Sequence, residues 1–187
     1  MLIPLLLFFH VLAVCGLFAG AGIELAAFTR FRRAATFAEA REALCHVELV
    51  GPIMRSSVLL LLAAGIWLVY ASGLGWAPWV VTVLILTVAM AAAGGAVNGR
   101  RLDGAHAECA SGEGALPQTV EAVRADGLLN FTVALLPCVL IGALYLMTNK
   151  PELTGCIVTV MVALVAAAVL GRLWTARAGQ ASATFPQ

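Results

Sequence analysis

Residues 1–33 read MLIPLLLFFHVLAVCGLFAGAGIELAAFTRFRR, and this stretch decides the fold. Its apolar run extends to about Phe28, with no basic residue ahead of it. That is longer than the roughly 7–15 residues of a signal-peptide core, so the stretch predicts a retained transmembrane helix. Two ionisable side chains lie inside the run, His10 and Glu24, before the arginines begin at Arg30. In hydrocarbon each is costly and needs a partner, which makes both candidates for a functional site. Gly16 and Gly20 stand four apart, a spacing that lets a second helix backbone approach closely.

The rest of the chain has the same character. Hydrophobic residues make up 62% and charged residues 11% of 187 positions, against about 25% charged in soluble domains. Spans of roughly 20 residues fit this length four to six times. The pattern predicts an all-α, polytopic transmembrane bundle with spans over about 3–28, 53–72, 79–97, 127–147 and 153–174. These form one domain over 1–177, with a loose tail over 178–187.

Between the first two spans, Thr36 is placed to cap an amphipathic surface helix with Phe37, Ala40, Leu44 and Val47 on one face. Gly51-Pro52 is expected to end it. The third span closes in AAAGGAVNG, where Ala91, Gly95 and Gly99 make a second small-residue stripe. Residues 100–116 read as a polar loop. Pro117 suits a helix's first turn, and QTVEAVRAD would lead straight into the fourth span, in which Pro137 predicts a kink.

Orientation comes from the basic residues. Ten of the eleven (Arg30, Arg32, Arg33, Arg41, Arg55, Arg100, Arg101, Arg124, Arg172, Arg177) fall at one membrane face, and Lys150 alone at the other. The positive-inside rule then predicts the N-terminus out and the C-terminus in. Tyr70, Trp76, Trp79 and Tyr145 gather at the outer boundary, as interfacial aromatics do.

On this reading His10 lies roughly 9 Å below the outer surface, and Glu24, fourteen residues on, lies about 40° round the same helix and roughly 21 Å lower. Neutral imidazole is a common metal and haem ligand. A second histidine at that depth is missing, because His46 and His106 fall at the cytoplasmic side. The remaining candidates in the outer layer are Met147, Tyr145 and Cys156, of which Met147 would complete a His/Met pair, although a methionine at a helix end is usually packing; haem b or copper is the group such a site would hold. Against this, a histidine in a polytopic bundle more often hydrogen-bonds to a neighbouring helix.

Glu24 shares its layer with Arg55, Ser56, Ser57, Asn98 and Asn130. A structural cluster is expected there: a Glu24–Arg55 ion pair with amide bonds from Asn98 and Asn130. The competing reading is a proton- or solute-handling site. Cys45, His46 and Glu48 do not share a helix face, and neither do His106, Glu108 and Cys109, so both groups read as solvated surface. The five cysteines form no C-x-x-C pair. The basic residues carry no interleaved aromatics, which argues against nucleic acid and for topology signals or contacts to anionic lipid.

FFHVLAVCGLFAGAGIEL, TRFRRA, VLLLLAAGIWLVY and GWAPWVV, over roughly residues 5–100, together resemble a family of small, uncharacterised bacterial integral membrane proteins. That family is distantly similar to copper-resistance D-type proteins, which share an early histidine and a Gly-rich stretch, as at His10, Gly16, Gly20 and Gly22. The membrane-bound bacterial protoporphyrinogen oxidase opens similarly, with a histidine tied to haem. The resemblance implies a helical bundle in the bacterial cytoplasmic membrane. This chain lacks the further intramembrane histidines of a copper or haem relay, so no activity is carried over.

Three functional expectations follow. The first is a non-catalytic accessory or scaffolding component, packing with itself through the small-residue faces or with a larger membrane complex. The second is a haem- or metal-associated redox protein using His10. The third is a small-solute or proton carrier through the Glu24 layer, disfavoured by the lack of an inverted repeat.

Overall fold

The computed structural model describes residues 2–110, 112, 114 and 116–183, with side chains up to residue 176. The described residues are helical apart from short connections: α1 (Leu2–Arg33), α2 (Phe37–Ser72), α3 (Pro78–Ala93), α4 (Arg100–Ala110), α5 (Gln118–Ala125), α6 (Gly127–Asn149) and α7 (Leu153–Ala183). A π-helical segment, Gly94–Gly99, joins α3 to α4. Five helices are long and apolar enough to cross a membrane. Their outward faces carry Leu5, Phe8, Leu12, Ile85, Ile141 and Val165, all exposed, as a lipid-facing surface requires.

The two glycines of the first helix do what their spacing predicts. α1 packs along α2. A Cβ on Gly16 would overlap Ser57 Oγ, and one on Gly20 would overlap Met54 Sδ. This stripe is therefore spent inside the chain, on α2. Gly95 of the second stripe has nothing within 4 Å of its would-be Cβ, so no neighbour approaches closely at that position.

Four expectations are corrected. Gly51-Pro52 does not end a helix, for α2 runs unbroken through it. A residue before proline leaves the helical region mainly because its Cβ meets the pyrrolidine ring, and Gly51 has none. The surface helix and second span are thus one rod of 36 residues. The stretch read as a polar loop after Gly99 is α4, because Leu102, Ala105 and Cys109 recur at helical spacing and are all buried. Gly104, whose helix penalty is only about 1 kcal/mol, misled the reading. α5 does not run straight into α6. Asp126 breaks it at ψ 111° and caps α6, its carboxylate accepting from the Leu128 and Leu129 amides at 2.8 and 3.2 Å. Finally, α7 continues to Ala183, into the stretch read as tail, and residues 184–187 lie outside the described residues.

Thr36 caps α2 as expected, accepting from the Glu39 amide at 3.3 Å, while Glu39 reaches back to the Ala35 amide at 2.7 Å. The densest core lies at the arginine-rich end. There Phe28 and Phe31 of α1 meet Leu44 of α2, Leu102 of α4, Val120 of α5 and Leu129 of α6. Arg124, 6% exposed, ties this head together. It donates to the carbonyls of Phe31 and Ala34 at 2.5 and 2.6 Å and to Glu121 at 2.8 Å, with its guanidinium 5.1 Å from the Phe31 ring centre. Those carbonyls close α1, so a buried cation sits where the helix dipole favours one.

Candidate functional site

His10 stands on α1 facing α2, half-buried. Its ring approaches the backbone of Leu61. Nδ1 is buried and has no partner. Gly65, one turn along α2 from Leu61, makes the room: the position of a Cβ there would lie 3.2 Å from His10 Cε1 and 3.3 Å from Nδ1.

Two cavities adjoin this ring. One, of about 720 Å³, lies among α1, α2, α3 and α6; the other, of about 290 Å³, reaches toward Trp76 and Trp79. Leu7, His10, Leu61, Val83, Thr87 and Met147 border both. The walls are almost wholly apolar, and Arg55 is the one charged side chain on the larger cavity, with no carboxylate on either. Sizes of this order suit small-molecule and cofactor sites. The structure therefore brings His10 and Met147 to one chamber, on the walls where the sequence set them at one depth.

The Glu24 layer is arranged differently from its expectation. Asn98 Nδ2 donates to Glu24 Oε1 at 3.1 Å, and Thr132 Oγ1 donates to Asn98 Oδ1 at 2.6 Å. This chain of bonds links α1, the π-helical segment and α6. π-helical turns inside α-helices are frequent at functional sites. Here the extra residue turns Asn98 inward, where it is 4% exposed.

The expected Glu24–Arg55 ion pair is not among those of the described residues. Arg55 is exposed on α2 and lines the larger cavity. Asn130 does not join the cluster either. Fully buried, it donates to the carbonyls of Arg124 and Asp126 at 3.1 and 2.9 Å and to Thr175 Oγ1 at 3.4 Å, fastening α6 to α5 and α7. Glu24 lines neither cavity.

Sequence reasoning missed Leu61, Gly65 and Thr132. Gly65 carried a readable signal, as a lone glycine inside an apolar helix pattern marks a close approach. His106, read as solvated, meets Glu48 at 2.5 Å across α2 and α4. Among the described residues no three His, Cys, Asp or Glu side chains gather as a metal site would need.

The model of a family described as predicted integral membrane protein (DUF2269) matches residues 4–151. The chain belongs to that family. The match takes in α1 to α6, and with them both cavity walls and the Glu24–Asn98–Thr132 chain. This member of the family is thus an integral, multi-pass membrane protein with five apolar helices. No curated protein and no solved structure matches it.

Proposed function

We propose that this protein is a non-catalytic membrane component that holds a long apolar ligand within its own bundle, beside His10. The observation that carries the reading is the chamber of about 720 Å³ against an imidazole whose buried Nδ1 has no partner. An unsatisfied buried nitrogen costs stability, which a ligand accepting or donating a hydrogen bond there would recover. The ten basic residues at the α4–α5 end favour placing that end in the cytoplasm of a bacterial inner membrane, with the N-terminus outside.

The test is extraction. Protein purified in mild detergent should release a long-chain molecule near one per chain, and His10→Leu should lower that ratio severalfold. An extract holding only readily exchanged bulk lipid, the same for both proteins, would overturn the reading.

Haem is a second reading, favoured by His10 and Met147 bordering the same chamber. His10 and Met147 are the residues that would hold it, and the apolar walls suit the macrocycle; haem bound there would supply one-electron chemistry. The donor set fits haem better than a copper ion, which these two side chains would have to hold alone. A Soret band lost in His10→Leu is the expected mark, and a colourless preparation sinks this second reading.

A further inference from the structure

We propose that the chamber's ligand is an anionic phospholipid of the surrounding bilayer, one acyl chain lying in the larger cavity and the phosphate held by the Arg55 guanidinium. The inference rests on the chamber reading and adds the ligand's class and polarity.

Charge complementarity is the first argument. Arg55 is exposed at the cavity rim, with no hydrogen bond or ion pair to any described residue. With no carboxylate on either cavity, the rim is net positive and favours an anion over a neutral or zwitterionic head. Arginine's planar fork matches phosphate oxygens two at a time.

Length is the second. Arg55 stands three residues past Pro52, where the polar half of α2 gives way to the apolar run. That is the depth of lipid headgroups. From Arg55 to Gly65, against which His10 packs, is ten residues of helix, roughly 15 Å. One leaflet of a hydrocarbon core about 30 Å thick has that same depth. A chain anchored at Arg55 therefore ends in the His10 layer. The walls between, with Val14, Val58, Leu86, Leu140 and Ala143, are apolar, and the hydroxyl of Thr87 on the same cavity donates to the Val83 carbonyl at 2.8 Å.

The third argument is the way in. The wall of the larger cavity includes Leu59, whose side chain is exposed one turn from Arg55. A bilayer lipid can enter sideways without crossing water.

Native mass spectrometry of the delipidated protein tests this, with dioleoylphosphatidylglycerol and dioleoylphosphatidylcholine as probes. The wild type should retain the anionic lipid about tenfold better, as one charge-assisted contact implies. Arg55→Gln should bring the two close to equal retention, lowering the phosphatidylglycerol severalfold more than the phosphatidylcholine, whose phosphate is partly offset by its own choline cation, and Arg55→Lys should keep most of the preference. Ala143→Phe and Val14→Phe, which fill the chamber from opposite walls, should reduce both lipids together. If Arg55→Gln keeps the wild-type ratio, the headgroup assignment falls and the chamber stands. If both phenylalanine variants, folded by circular dichroism, retain both lipids as the wild type does, the chamber reading falls. Stronger retention of a neutral isoprenoid, unaffected at Arg55, would overturn the proposal as well.

Discussion

The imidazole of His10 occupies space that Gly65 leaves open, with Cε1 and Nδ1 at 3.2 and 3.3 Å from where a Cβ on residue 65 would stand. The two residues on α1 and α2 thus fit each other in shape while one ring nitrogen goes without a hydrogen bond. Leaving a buried nitrogen unpaired costs about 1–3 kcal/mol. His10→Leu, similar in volume and wholly apolar, should therefore stabilise the ligand-free protein by about 1 kcal/mol while weakening ligand retention. Thermal unfolding of delipidated protein measures the first effect. A fall in midpoint would show instead that the contact of the ring with the Leu61 backbone dominates. Gly65→Ala should cost no more than about 1 kcal/mol, because the adjoining cavities let the ring shift by the few tenths of an ångström required.

Glu24 and Asn98 form the other cross-helix pair, and their interdependence is measurable. Asn98→Leu removes the amide that donates to the half-buried carboxylate and should cost about 2–3 kcal/mol. Glu24→Gln keeps an acceptor oxygen and should cost roughly 1 kcal/mol or less. The double variant should then be less destabilised than the sum of the two, by at least about 0.5 kcal/mol. Strict additivity in thermal or denaturant unfolding would mean that the bond contributes nothing to the fold.

Arg124 governs the arginine-rich head more than its place in a short helix suggests. Arg124→Met would leave the Phe31 and Ala34 carbonyls without their donor and Glu121 without its cation. Breaking a buried charged network from one side typically costs about 3–5 kcal/mol. Limited proteolysis should then cut between α4 and α5, while the five apolar helices stay in the membrane. Unchanged protease resistance would contradict this.

The fold was legible because bilayer physics writes it in composition: apolar runs of the right length, and arginines that mark the end of α1. Close packing on α1 was legible too, in Gly16 and Gly20, but not that the partner is α2. What misled were residues whose local meaning depends on neighbours far off in the chain. Pro52 reads as a stop until Gly51 removes the clash, and Gly104 reads as loop until Leu102 and Cys109 are seen to be buried. Arg55 is drawn to Glu24 by depth and charge, yet Asn98 reaches the carboxylate first, because the π-helical turn at Gly94–Gly99 swings it inward. Nothing in GGAVNG states that a sixth residue will enter the turn. The chamber was illegible for a related reason: a void is what four helices fail to fill, and no single stretch of sequence encodes it.

Asp126 joins the two halves of the molecule and should make its stability depend on pH. Burial by itself would raise its carboxyl, but the Leu129 amide, the Arg101 guanidinium and the Leu128 amide together hold it below the ordinary aspartate range. It bonds to the Arg101 side chain from one oxygen and caps α6 from the other. A carboxyl held low in the folded protein binds its proton more readily once unfolded. Its contribution is therefore complete above the ordinary value of about 3.9 and is lost as the pH falls through that value toward the folded one. Unfolding midpoints should drop over this acidic window in the wild type and drop less in Asp126→Asn. At neutral pH Asp126→Ala should cost about 1 kcal/mol, the usual value of an N-cap, with more if the Arg101 contact adds to it. Equal acid sensitivity in wild type and Asp126→Asn would move the source of that dependence to another carboxyl.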